Sequence, residues 1–161
     1  MATKTALMLL SLMLLSGNAV AMVSEVSGNT SCSIVSLSDK QLLKQIDCSF
    51  EGAIGSSMVY SVQQLNFTTS NGNLVSTVNS ATFRFGDNEE MYDLQETIAI
   101  NDKTAEVIMI DATSFKRISA TRMAQYYDQP IPNLNNVLYC FKPIKKSKAF
   151  CIPYVVIYNM S

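Results

Sequence analysis

Four lysines fall within seven residues late in this chain: Lys142, Lys145, Lys146 and Lys148, with Ile144 among them. Cys140 and Cys151 bracket the group. If those cysteines pair, the lysines crown a stapled hairpin. A constrained cationic loop suits acidic polymers, anionic lipid headgroups or an acidic protein cleft. A rigid loop also loses little entropy on binding, which favours inhibitor-like recognition. The plainer alternative is a soluble hairpin tip whose lysines guard an edge strand against pairing.

A second group is acidic: Asp87, Glu89, Glu90 and Asp93. Several carboxylates close together can hold calcium, but the spacing departs from the EF-hand pattern. The same residues are the one credible acid/base pair for a glycosidase-like hydrolysis. Otherwise they form a solvated turn. Tyr126 and Tyr127 beside Asp128 suit a sugar-facing patch or ordinary packing. Asn29, Asn66 and Asn159 each open a glycosylation acceptor triplet, which matters only in a host that glycosylates exported proteins.

The chain has no histidine. That excludes Ser-His-Asp and Cys-His machinery, histidine general bases and the usual catalytic zinc sites. Any catalysis would fall to carboxylates, Lys or Tyr. Tryptophan is absent too, so a deep aromatic ligand platform is not expected. No cofactor or metal is expected, and nucleic acid is not expected as a partner.

The elements that must position these groups begin after a leader. Lys4 precedes an almost unbroken apolar run from Ala6 to Leu15, and Ala19-Val20-Ala21 closes the segment. A charged start, a short apolar core and a small-x-small close read as a secretory signal peptide over residues 1–21. The run is too short for a membrane-spanning helix. Residues 22–161 then form a single exported β domain, secreted or periplasmic, with no transmembrane segment after signal removal. All four cysteines, Cys32, Cys48, Cys140 and Cys151, lie there. Three pairings are possible. Cys32–Cys48 and Cys140–Cys151 are favoured, because each pair flanks a short polar segment; a bridge between the chain ends is the rival.

Charge is uneven along the chain. Residues 22–111 carry 12 acidic and 4 basic groups, whereas residues 112–161 carry 1 and 7. The halves either make two faces with different partners or pair with each other across one sheet.

Strands are expected at Cys32–Leu37 and Leu42–Phe50, after a loose lead-in over Val23–Ser31 and before a glycine-bearing loop over Glu51–Ser57. Further strands follow at Met58–Thr68 and Leu74–Phe85, with a type I′ turn at Asn71-Gly72 between them. Leu94–Ile100 and Ala105–Ile110 flank another hairpin turn, and the second arm reads as buried on both sides. One short helix is expected near residues 113–127, capped by Thr113 or Ser114. Val137–Phe141 and Ala149–Tyr158 close the chain as strands, with Pro153 marking an edge or bulge.

The expected fold is therefore mainly β: an antiparallel β-sandwich or small barrel with two disulfides and one short helix near 113–127, with α+β as the alternative. The expected function is a non-catalytic binding or inhibitory module that recognises another macromolecule, a protein or an acidic polymer or envelope component. Lys142, Ile144, Lys145, Lys146 and Lys148 would form its contact surface. The alternatives are a carboxylate-based hydrolase and a structural subunit that offers Tyr154–Tyr158 as a pairing edge.

Overall fold

The computed structural model describes residues 22–57, 59–87, 90–128 and 133–160. The leader over residues 1–21 and Glu89 lie outside the described residues. Eight antiparallel strands run up and down in sequence order and close into a barrel. They are β1 (Met22–Ser36), β2 (Gln41–Ser56), β3 (Tyr60–Thr69), β4 (Leu74–Phe85), β5 (Met91–Ile100), β6 (Lys103–Asp111), β7 (Val137–Pro143) and β8 (Lys148–Pro153). Helix α1 (Ala120–Tyr127) lies between β6 and β7, and α2 (Tyr154–Tyr158) follows β8. The barrel is the closed form of the expected antiparallel β fold.

Alternation along the strands explains the interior. Cys48 and Phe50 of β2 and Leu65 and Phe67 of β3 are buried, while Ser49, Glu51, Asn66 and Thr68 between them are exposed. Inward residues of neighbouring strands meet in register, Phe50 opposite Phe67 and Phe67 opposite Val75. The Phe67 ring meets Phe150 edge-on at 5.2 Å, joining β3 to β8 across the core. Full burial of such side chains stabilises by about 1.5–3 kcal/mol each.

Strand β6 is apolar on both faces, as its sequence suggests. Val107 and Met109 pack on the barrel interior, while Ile108 and Ile110 join a second cluster with Val35, Cys140, Ala149 and Cys151. The two disulfides are Cys32–Cys48 and Cys140–Cys151, the favoured pairing. Short closed loops of this kind stabilise by roughly 3 kcal/mol each in the chain-entropy picture.

The barrel is not equally closed along its length. Strand β8 pairs with β1 over Ser33–Ser36, and β6 pairs with β5 at Ala99 and Ile100. Beyond those short ladders β1 to β5 continue as a coiled five-stranded sheet.

Several local expectations change. The lead-in is strand, because β2 pairs with it from Met22 opposite Ser56 up to Ser36 opposite Gln41. Residues 51–56 continue β2 rather than forming a loop. Gly52 serves the sheet there: a Cβ at that site would lie 1.9 Å from the Gln64 carbonyl oxygen, so only glycine permits the close approach. The type I′ geometry belongs to Asn101-Asp102, both at positive φ, whereas at Asn71-Gly72 only Gly72 is positive. The helix is shorter than expected. The Asp111 carboxylate accepts from the backbone of Thr113 and Ser114 and folds a turn there, so Ser119 becomes the cap of α1. The last strand stops at Pro153. Tyr154–Tyr158 is helix, which withdraws it as a pairing edge.

Candidate functional site

Up-and-down topology sorts connections by parity. The β1–β2, β3–β4, β5–β6 and β7–β8 turns all emerge at one end of the barrel. The β2–β3, β4–β5 and β6–β7 connections, with α1 and α2, lie at the other. The turns are short. Leu37 N–H reaches the Ser147 carbonyl at 2.8 Å, and Ile144 N–H reaches Thr104 at 3.0 Å. These bonds tie the β7–β8 turn to the turns on either side. Asn101 fastens the fourth: its side-chain oxygen accepts from Ser76 N–H at 2.9 Å. The turn end is thus one connected rim.

That rim carries exposed Lys40, Lys44, Lys103, Lys145, Lys146 and Lys148. Its acidic groups are Asp39, which accepts a hydrogen bond from Ser36, exposed Asp47, whose backbone carbonyl accepts from Ser70 N–H of the β3–β4 turn, and exposed Asp102. Lys40 and Lys145 sit at positive φ in their turns, which turns the backbone tightly and throws the side chains outward. Apolar side chains stand among the lysines: Leu43, Leu74 at 72% exposure and Ile144 at 46%.

Of the five residues that the sequence marks, Ile144, Lys145, Lys146 and Lys148 come together on this rim. Lys142 does not join them. It points along β6 and β7, and its ammonium sits 2.7 Å from Glu106 Oε1 with the side chain 18% exposed. Arg117 reaches the other Glu106 oxygen at 3.1 Å. The hydrogen bond from Lys142, aided by Arg117, holds the Glu106 carboxyl below its ordinary range. Lys142 is therefore a structural cation. Lys40, Lys44 and Lys103 join the rim instead. They sit far from 142–148 in sequence and within the acidic stretch, so only the alternation of turns reveals them.

The opposite end is acidic on the β1–β5 side. Glu25, Asp87, Glu90 and Glu96 are exposed there, with Asp93 beside Arg84 at 3.7 Å. Among the described residues no three His, Cys, Asp or Glu side chains converge as a metal site. The β6–β8 side is latched by tyrosines. Tyr154 stacks on Tyr139 at 5.8 Å and meets Tyr127 edge-on, their hydroxyls in hydrogen-bond contact. Tyr158 lies 6.2 Å from Tyr127. Burial, with Tyr154 next, raises the Tyr127 hydroxyl far above its ordinary range. Burial pushes Tyr139 up to about 12 against a hydrogen bond from Asn79 at 2.8 Å. Tyr126 packs instead beside the Ile118–Met123–Leu134 cluster. These rings join α1, α2 and β7, which is a packing role.

The outer flank of β1 to β3 holds two shallow grooves of about 420 and 600 Å³. Small polar side chains predominate in both, joined by Phe50 and Glu51 in the first and by Asp47 in the second. Asn29 and Asn66, two of the acceptor asparagines, lie on this flank. Asn159 caps α2. Among the described residues no helix is long and apolar enough to cross a membrane. Compared with family models, curated proteins and solved structures, the chain matches none.

Proposed function

We propose that this chain is a non-catalytic binding module that docks on an anionic macromolecular surface through the turn end of its barrel. One observation carries the reading: four short turns, tied to one another by backbone bonds, and the strand ends beside them gather six exposed lysines against three carboxylates. Charges held on a rigid rim lose little freedom on docking. The acidic far end of β1 to β5 adds a dipole that turns the cationic rim toward negative charge. Export by the leader, which two disulfides accord with, would place the module outside the cytoplasm.

The test uses the mature chain, oxidised, as bait against extracytoplasmic fractions at low and high salt. A variant with Lys145→Glu, Lys146→Glu and Lys148→Glu runs alongside. The native bait should capture an anionic partner in a salt-sensitive way, and the variant should lose it. Equal capture by both baits would refute the turn end as the docking surface.

A further inference from the structure

We infer that the anionic surface is a lipid bilayer, into whose headgroup region the turn end settles with its apolar tips. This rests on the reading of the turn end as the docking surface and names its partner.

Three physical observations favour lipid over the other anionic surfaces. First, exposed apolar side chains accompany the cations at this end. Leu43 precedes Lys44, and Ile144 precedes Lys145 and Lys146. Leu74 is the most exposed of the large apolar side chains in the described residues. A soluble polyanion satisfies the lysines and leaves these side chains in water. A bilayer interface meets both needs, since headgroup charge overlies the acyl boundary. Second, the apolar side chains are spread over three places, Leu43 near the start of β2, Leu74 at the start of β4 and Ile144 in the β7–β8 turn. Protein contacts instead gather their apolar anchors at a central, desolvated patch with charges around it. Third, the two grooves of about 420 and 600 Å³ are shallow and lie along the β1–β3 flank, and only the larger one reaches the rim, at Ser70. A surface of projecting tips suits a soft planar partner better than a shaped one. The acidic side of the far end is repelled by the same membrane, so the molecule stands with its turns down.

The experiment uses the mature, oxidised chain and sedimented vesicles of phosphatidylcholine with phosphatidylglycerol, or of phosphatidylcholine alone. Because the chain has no tryptophan, Leu74→Trp supplies a single fluorescent reporter of insertion. The native chain should bind the anionic vesicles and spare the neutral ones. Each Lys→Gln change at 145, 146 or 148 should lower the partition about fivefold, the equivalent of about 1 kcal/mol per lysine. The triple Lys→Glu variant should lose at least about 100-fold. The Leu74→Trp emission should shift to the blue on anionic vesicles alone. Ile144→Ser should weaken binding that persists at high salt, with unchanged thermal stability.

No binding to anionic vesicles, binding indifferent to the lysine reversals, or a reporter that stays in water each overturns the inference. If vesicles fail while a captured protein still depends on Lys145, Lys146 and Lys148, the partner is proteinaceous and the docking surface stands. If both assays ignore the reversals, the docking surface falls with it.

Discussion

The two ends of the barrel solve opposite problems. At the turn end backbone bonds and a few small polar side chains hold the turns, and the lysines project. Hydrogen bonds such as Leu37 to Ser147 and Ile144 to Thr104 hold the turns, while six lysines project without contributing to packing. At the other end the β6–β7 connection is long, and side chains hold it. Tyr127, Tyr139, Tyr154 and Tyr158 interlock α1, α2 and β7, and Asp111 ties down the chain between β6 and α1. The lesson is that short turns leave their side chains available for an external partner, whereas long connections use theirs for stability.

The comparison breaks most visibly at Tyr154. Its replacement by Ala removes the stack on Tyr139, the edge contact with Tyr127 and a hydroxyl contact. The expected loss is about 3–4 kcal/mol, read by urea unfolding. The folded variant should retain its affinity for anionic surfaces. A loss below about 1 kcal/mol would mean that the tyrosine latch holds little.

Glu106 tests the boundary between the two ends, because it takes Lys142 out of the cationic rim. Glu106→Gln should cost about 1 kcal/mol, modest because the carboxylate is 37% exposed. The sign with pH follows from its lowered folded-state value, set first by the Lys142 hydrogen bond. Asp111 is lowered as well, first through the Ser114 backbone N–H. Both contribute stability that is complete above the ordinary carboxylate range, and it disappears as pH falls through their lowered values. The difference between Glu106→Gln and the native chain should therefore be present at neutral pH and vanish in acid. A difference that grows in acid would contradict the ion pair.

The smallest effect on stability is expected where the effect on binding is largest. Reversing Lys145, Lys146 and Lys148 to Glu should change unfolding by about 0.5 kcal/mol or less, since the three are exposed tips. A substantial loss of stability would show that the rim is part of the fold and would merge the two ends.

Much of the fold was legible in residue patterns. Alternation in β3, β4 and β6 located strands, and the spacing of Cys32, Cys48, Cys140 and Cys151 suggested the right pairs. Errors arose where a partner strand outweighed local composition. Polar residues 22–31 become strand because β2 offers a complete ladder, and Gly52 reads as a loop until the Gln64 carbonyl lies against it. Pro153 reads as a bulge in a strand, yet it ends β8 and starts α2.

For the candidate site, the sequence by itself determined the local cluster at Ile144, Lys145, Lys146 and Lys148, because neighbours on a tight turn stay neighbours in space. It also determined the absence of histidine chemistry. Tertiary structure alone decided the rest. It removed Lys142 through Glu106, which lies 36 residues earlier. It brought Lys40, Lys44 and Lys103 out of the acidic stretch and onto the same rim. The physical reason is the barrel: alternating strand direction returns every second turn to one end, so charge is sorted by the parity of the turn and not by its position along the chain.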